Sequence, residues 1–465
     1  MSILMTFDRA VSYLLSLGHE TLTIKLGLEN TETLLAALGN RHNNFPSVQI
    51  AGTNGKGSTA AFLDSIGRAA GLRTGLFTSP HLISITERIR IDGEPVAEAE
   101  FARFTSMVRA TAEKLVSEGR LETLPTFFEH VTAIGLLAFA EAQVDLAILE
   151  TGLGGRLDST TAARAGVVAI TPVAMDHEEY LGHTIAEIAA EKAAIVRPGV
   201  TAVIGPQLRA ALDVIMEKCA EASVLPSFIG QASKDSQLPA RYRERFCTVR
   251  CGEATPDGRC WATFETPHGT YERVLVGLRG RHQIDNAATA IALAEALRER
   301  GFRISRDQII HGLENAKHPG RLELWERTPP ILFDGAHNPA SARALRNYLD
   351  EFVSQPVTMI FGAMRDKPLD QLAEILFPKA RDLILTGIEN PRAALPAELK
   401  AARPNVSARW RLHEASSPLE ALRIAREITR PDDLIVITGS LYLIGEAQRI
   451  LQRPTAAVAH EDLRH

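Results

Sequence analysis

Between Val48 and Thr59 the chain reads Val-Gln-Ile-Ala-Gly-Thr-Asn-Gly-Lys-Gly-Ser-Thr. An apolar run of strand type feeds a glycine-rich loop, and residues 59–66 continue as a helical pattern. Glycines let the backbone curl so that N–H groups point inward. The helix N-terminus adds partial positive charge and Lys56 a full one, which together make a cradle for nucleotide phosphates. The spacing departs from the ordinary phosphate loop, G-x-x-x-x-G-K-[ST]. Here it is Gly52-x-x-Gly55-Lys56-Gly57-Ser58, shorter before the lysine and with an extra glycine after it.

Further groups with chemical capacity follow other apolar runs. In Ala147-Ile-Leu-Glu150-Thr-Gly-Leu-Gly-Gly-Arg156-Leu-Asp158 a strand ends in a carboxylate and a glycine turn. Ligands of open α/β sheets sit outside the carboxyl ends of the strands, so Glu150 is expected beside the phosphate loop, where a carboxylate can hold Mg²⁺. The alternative for Glu150 is an N-cap or a surface acid. Asp176-His177 follows the next strand and reads either as a ligand pair or as loop polarity. Lys192 sits in a helical pattern over residues 187–195 and on spacing alone reads as a solvated lysine. If partly buried and neutral, it could add CO₂ to give a carbamate, an oxygen ligand for metal. In Ile331-Leu-Phe-Asp334-Gly-Ala-His337-Asn338-Pro339 an acid and a histidine again follow a strand. His337 fits a general base, a binder of carboxylate or phosphate, or a polar loop residue. Arg321, in the turn 317–321, could reach a phosphate.

The elements that must position these groups alternate. Strand patterns cover residues 48–51, 75–78, 146–150, 167–171 and 201–204, with helical patterns such as 98–114 and 128–143 between them. This rhythm predicts a mostly parallel, doubly wound α/β sheet. Residues 246–278 break it with alternating strands and glycine turns, a small antiparallel annex, and a helix is expected over 286–300. The rhythm restarts with strands at 331–333, 357–361, 383–386 and 434–438 and helices such as 340–352 and 418–427. Two domains are therefore expected, residues 1–317 with the phosphate loop and residues 318–465 as a smaller α/β domain, with a cleft between them. The last dozen residues read as a loose tail.

Composition excludes several classes. At 465 residues the chain is long enough for two to three domains, and its 45% hydrophobic and 23% charged residues are those of an ordinary globular protein. A net charge of −5 provides no basic field for nucleic acid. No apolar run approaches the ~20 residues of a membrane span, and the N-terminus lacks the order of a signal peptide, so a cytoplasmic location is expected. Cys219, Cys247, Cys251 and Cys260 read as reduced thiols. The run C-x3-C-x8-C-x7-H ending at His268 matches no common zinc pattern.

Ten segments in order resemble the folylpolyglutamate synthase and dihydrofolate synthase branch of the Mur ligases, from about Leu26 to Gly445. They include Gly52-Thr-Asn-Gly-Lys-Gly-Ser58, Thr78-Ser-Pro-His-Leu82, Thr126-Phe-Phe-Glu129, Glu150-Thr-Gly-Leu-Gly-Gly-Arg-Leu-Asp158, Glu191-Lys192-Ala-Ala-Ile195, Gly280-Arg-His-Gln283 with Asn286, Pro319-Gly-Arg-Leu-Glu323, Asp334-Gly-Ala-His-Asn-Pro339 and Gly439-Ser-Leu-Tyr442. The resemblance implies that Thr53, Asn54, Gly55, Lys56, Gly57, Ser58, Asn286, Arg321 and Asp334 contact ATP. It implies that Ser79, Glu150 and His177 bind two Mg²⁺ ions and that Lys192 is carbamylated, which replaces the solvated reading. Pro125, Thr126, Phe127, Phe128, Leu157, Asp158 and Ser159 match a pterin pocket, and His337 and Ser440 the place of the incoming glutamate. Lys56, Lys192 and His337 are the implied catalytic residues. The implied activity is ATP-dependent addition of L-glutamate to dihydropteroate, to reduced folates or to both, by a monomer, with a monovalent cation as an open addition to the cofactors.

Ala194 stands where the family usually has glycine, His318 where it often has tryptophan, and Arg41 where proline is common. Neither Ala194 nor His318 is expected to touch a proposed metal or phosphate ligand. Two rivals are a Mur-type ligase acting on a non-folate carboxylate and a P-loop ATPase module. Only 51 residues precede Gly52, few for the additional domain of peptidoglycan-building relatives. The loop spacing and the Asp334–His337 pair speak against a switch ATPase.

Overall fold

The computed structural model describes residues 4–18, 27–230, 242, 245–402 and 410–452. The expected tail and the start of the resemblance near Leu26 lie outside the described residues. Among the described residues two sheets form. In the larger, eleven strands follow the order Gly269–Leu275, Cys260–Thr266, Phe246–Ala254, Ser227–Ile229, Thr201–Ile204, Val167–Ile170, Ser47–Ala51, Leu146–Glu150, Thr74–Phe77, Ile89–Ile91 and Glu94–Pro95. The stretch from Phe246–Ala254 to Thr74–Phe77 is parallel, and antiparallel hairpins close both edges.

Central strands are covered on both faces, which is why they read as unbroken apolar runs. Side chains alternate between the two covers. Leu146 and Ile148 face a core shared with Phe62, Leu63 and Leu293, whereas Ala147 and Leu149 face Val131, Ile134 and Phe101. Helices Lys56–Ala69 and His282–Glu299 supply the first cover, Phe127–Ala142 and Glu98–Ser117 the second.

The antiparallel annex is an extension of the main sheet. The short strand Ser227–Ile229 pairs parallel with Phe246–Ala254 and so carries the sheet into it. The helix expected over 286–300 begins earlier, at His282, close behind the Gly277–Gly280 turn.

The smaller sheet runs Glu323–Trp325, Ile331–Asp334, Leu434–Thr438, Val357–Phe361, Asp382–Thr386 and Arg411–Ala415, with only the first strand antiparallel. Helices Pro339–Phe352 and Leu369–Leu376 cover one face, Pro418–Ile428 and Leu441–Gln452 the other. The Arg411–Ala415 strand lacks an apolar run because it is a partly exposed edge. Among the described residues no helix is long and apolar enough to cross a membrane. The four cysteines carry free thiols.

Candidate active site

The carboxyl ends of both sheets face one cleft of about 590 Å³. On its floor the strand Ser47–Ala51 turns through Gly52–Gly55 into the helix Lys56–Ala69. Gly55 holds the N-cap position at φ 88°, a left-handed conformation that glycine adopts without strain. The amides of Thr53 and Asn54 both donate to the Pro172 carbonyl, at 3.0 and 3.1 Å. The Thr53 hydroxyl donates to the Ala174 carbonyl. Thr53 and Asn54 therefore brace the loop against the neighbouring strand end. The N–H groups left for an anion are those at the start of the helix, which have no partner one turn earlier. Lys56, the first helical residue, donates from Nζ to the Thr53 carbonyl at 3.2 Å. Asn286, 5% exposed, backs the loop with its Oδ1 where a Cβ on Gly55 would stand.

Beside the loop stand Glu150, Ser79, His177 and Lys192, all lining the cleft. Glu150 ends its strand and accepts from the Ser79 amide at 3.2 Å. Burial raises its carboxyl above the ordinary range, while Lys56 pulls the other way. Burial likewise pushes the His177 imidazole down to about 4, leaving a neutral ring able to offer a lone pair. Lys192 is only 4% exposed, which overturns the solvated reading of its helix. Thr184 caps that helix, Ile185–Ala193, in a reciprocal capping box with Glu187, and its last turn lies against the phosphate loop. The Lys192 Nζ donates to the Gly52 carbonyl at 2.9 Å. Burial, with Lys56 nearby, pushes its ammonium down to about 7.

From the other domain come Arg321, Asp334, His337 and Ser440. Asp334 accepts from the amides of Leu322 and Ala336, and Arg321 donates to the Gly335 carbonyl. Asp334 is thereby held 7% exposed, its carboxyl raised by burial against the pull of Arg321. A carbonyl only accepts, so the 2.8 Å contact between His337 Nδ1 and the Gly335 oxygen puts the proton on Nδ1. That leaves Nε2 toward the first domain, 3.6 Å from Asp176. Ser440, 3% exposed, immediately precedes the last helix, Leu441–Gln452, and its Oγ accepts from the Tyr442 amide.

Of the residues matched to a pterin pocket, Thr126, Phe128, Leu157, Asp158 and Ser159 line the cleft. Phe127 does not. It lies in the core, 4% exposed, with the Arg88 guanidinium over its ring. Neighbouring helical residues point about 100° apart, so Phe127 and Phe128 cannot share one wall. Pro125 is buried ahead of the cap and is also absent from the cleft wall. Asp158 is a brace: it accepts from the amides of Gly152, Leu153 and Thr160.

Three residues tie the domains together: Asp176, which the sequence reads only as a ligand or a polar loop acid, and Asn338 and Lys367, which sequence reasoning missed; a fourth functional residue was dismissed. Asp176 accepts from Lys367 Nζ at 2.7 Å and from Asn338 Nδ2 at 3.2 Å, and Asn338 also donates to Asn54 Oδ1 at 3.0 Å. Burial alone would raise the Asp176 carboxyl, but His337, His177 and Lys367 hold it well below the ordinary range. The signal available was weak, an acid beside His177 and a lysine after a strand. The fourth residue is His318. Its Nδ1 lies 3.2 Å from the Ser58 Oγ, so the expectation that it misses every phosphate ligand is corrected.

Lys367 and Asp176 side chains are each 8% exposed. Replacing Lys367 by methionine leaves a buried carboxylate short of its cation, and is expected to cost roughly 3 kcal/mol in denaturant unfolding at pH 7. Asp176 is depressed in the folded state, so its contribution is complete above the ordinary aspartate value of about 4 and is lost as pH falls further. The gap between wild type and Lys367→Met should therefore narrow below about pH 4.

Comparisons with known proteins give the family. The Mur ligase middle domain matches residues 50–294 and the Mur ligase glutamate ligase domain residues 320–441. The Dihydrofolate synthase/folylpolyglutamate synthase of Bacillus subtilis is 34% identical over 94% of this chain and 97% of its own length. The chain spans about half the length, 52%, of a longer relative from Haloferax volcanii, a probable bifunctional folylpolyglutamate synthase/dihydropteroate synthase that is also 34% identical over 99% of this chain. Among solved structures, Mycobacterium tuberculosis folylpolyglutamate synthase complexed with ADP and AMPPCP superposes with a TM-score of 0.84 at 31% identity, covering 96% of this chain and 99% of that one. A bifunctional folylpolyglutamate synthase/dihydrofolate synthase with Mn, AMPPNP and L-glutamate bound superposes with a TM-score of 0.80 at 29% identity, covering 97% and 98%. The chain belongs to the folylpolyglutamate synthase/dihydrofolate synthase family of Mur ligases.

Proposed function

We infer that the chain is an ATP-dependent ligase that joins L-glutamate to the carboxylate of dihydropteroate and of reduced folates through an acyl phosphate. One observation carries this reading. The phosphate loop, Glu150, His177 and buried Lys192 of the first domain meet Asp334, His337 and Ser440 of the second on a single cleft. The relatives' activities, and the nucleotide and L-glutamate bound in the structural neighbour, supply the substrate class.

A carboxylate is a poor acyl donor because its leaving group would be oxide. Attack of one carboxylate oxygen on the γ-phosphorus makes a C–O–P linkage, breaks the β–γ bond and releases ADP. The glutamate amine, having lost a proton, attacks the acyl carbon. The tetrahedral intermediate then collapses to the amide, and phosphate departs with one former carboxylate oxygen. Lys56 and the helix N-terminus lower the repulsion between the two anions. His337, its Nδ1 tied to Gly335, presents Nε2 to orient glutamate or take the amine proton. Asn338 and Lys367 hold the second domain against the first, which keeps water from the acyl phosphate.

The donor set fits Mg²⁺: a hydroxyl, a carboxylate, a neutral imidazole and, once carbamylated, Lys192. Such an incomplete hard set leaves places for phosphate oxygens, as Mg²⁺ prefers. Two ions held by Ser79, Glu150, His177 and Lys192 would supply charge that screens phosphate from carboxylate. The reading includes action as a monomer in the cytoplasm.

Phe128 and Leu157 on the wall offer apolar surface to a flat pterin ring, which dihydropteroate and reduced folates share. A Cβ on Gly152 would stand 2.5–3.0 Å from three Phe128 ring carbons. Gly152→Ala is therefore expected to push the ring into the cleft and raise KM for the pterin substrate about tenfold, a cost of about 1–2 kcal/mol, leaving KM for ATP unchanged in initial-rate assays. The function itself is tested by ADP release with dihydropteroate and, separately, with tetrahydrofolate monoglutamate. Release should require glutamate and one of these acids. Turnover indifferent to both would leave an ATPase.

A further inference from the structure

The extra glycine that sets this phosphate loop apart has a structural counterpart in the interdomain linker. A Cβ on Gly57 would stand 2.8 Å from Cε1 and 3.1 Å from Nε2 of His318, so the imidazole lies directly on the loop where the glycine leaves room. From there its Nδ1 reaches the Ser58 hydroxyl oxygen at 3.2 Å. Ser58 is 5% exposed and lines the cleft with His318. Three residues on, Arg321 of the same linker donates to Gly335 beside His337.

A serine hydroxyl has one proton to give, and phosphate oxygens only accept. If Ser58 serves a phosphate, its proton must point at the ligand, and the linker histidine must then be the donor in their mutual contact. We propose that His318 is a positioning residue for the nucleotide: in its Nδ1–H tautomer it donates to the Ser58 oxygen and so aims the Ser58 hydroxyl at a phosphate of the bound nucleotide. Burial, with Arg321 and Arg90 nearby, pushes the imidazole down to about 3, so the ring is neutral and only one of its nitrogens carries a proton. The linker thus forms part of the phosphate site, and nucleotide occupancy is felt where the two domains join. The proposal rests on the assignment of Gly52–Ser58 as an ATP site but not on the identity of the acyl acceptor.

The test is calorimetric binding of the non-hydrolysable analogue AMPPCP to the full chain. His318→Ala should weaken binding about five- to tenfold, the scale of one hydrogen bond to a charged assembly. KM for ATP should rise in step, with kcat changed less than about twofold. His318→Asn puts an amide where Nδ1 stood and should restore binding to within about twofold of wild type, whereas His318→Gln should not. In a cycle with Ser58→Ala the double variant should bind no more weakly than Ser58→Ala alone. Nitrogen NMR of the wild-type AMPPCP complex, with the His318 signal assigned by its absence from His318→Asn, should find the proton on Nδ1. A proton on Nε2, or effects that multiply in the double variant, would overturn the proposal. If wild type binds AMPPCP in this manner yet releases no glutamate-dependent ADP, the ligase reading fails while the role of His318 stands.

Discussion

Lys192→Ala is expected to lower glutamate-dependent ADP release on the order of a thousandfold, the scale of removing a preorganised electrostatic group. The lysine is too enclosed to be a solvated helical residue, with 4% exposure and its Nζ committed to the Gly52 carbonyl at the root of the phosphate loop. Burial of an uncompensated ammonium is costly. The amine, pushed down to about 7, has a substantial neutral fraction at neutral pH and can add CO₂ to become an anionic oxygen donor beside Glu150 and His177. Two readouts separate this role from simple packing. Wild-type activity should rise with added bicarbonate and between pH 6 and 8, because the neutral amine increases as pH passes its value near 7. Lys192→Met, which keeps most of the volume, should be as inactive as Lys192→Ala and indifferent to bicarbonate. A methionine variant with near wild-type turnover would sink the carbamate.

Lys56→Met should reduce kcat by about a hundred- to a thousandfold in the same assay, with a smaller loss of AMPPCP affinity measured by calorimetry. The first-turn amides and the brace of Thr53 and Asn54 on Pro172 remain, so the loop keeps its shape and part of its grip on the phosphates. What disappears is the full charge needed as negative charge moves from the γ-phosphate toward ADP. The loss has a second arm. Lys56 is the largest influence opposing the upward push of burial on Glu150. Without it that carboxylate is protonated more readily, so the variant should need more Mg²⁺ for half-maximal rate. Equal losses in AMPPCP affinity and in kcat/KM would mean that Lys56 only binds nucleotide.

The sites legible in the sequence were those whose chemistry is local. Gly55, Lys56 and Glu150 each sit within a few residues of a strand end, and parallel sheets bring strand ends to one edge whatever the packing around them. The fate of Lys192 was not local, because it depends on the last turn of one helix meeting a loop 140 positions earlier. Asp176, Asn338 and Lys367 acquire their meaning only when the two domains dock, and no periodicity within either domain carries that information. Phe127 was assigned to the pocket as part of a contiguous segment, and the turn of the helix sends it to the core instead. His318 was passed over because its partner Ser58 lies 260 positions away. In the fold, the apolar central strands were evident, whereas Arg411–Ala415, polar and at an edge, was not.

The acyl phosphate is the claim on which everything else in the cleft depends. Pteroate substrate carrying ¹⁸O in both oxygens of the reacting carboxylate, turned over with ATP and L-glutamate, tests it by mass analysis of the phosphate released. One ¹⁸O atom should appear in each phosphate formed, matched by one amide bond and one ADP. Unlabelled phosphate at the same rate of ADP release would mean that water takes the γ-phosphoryl group, and the loop would then serve hydrolysis instead of ligation.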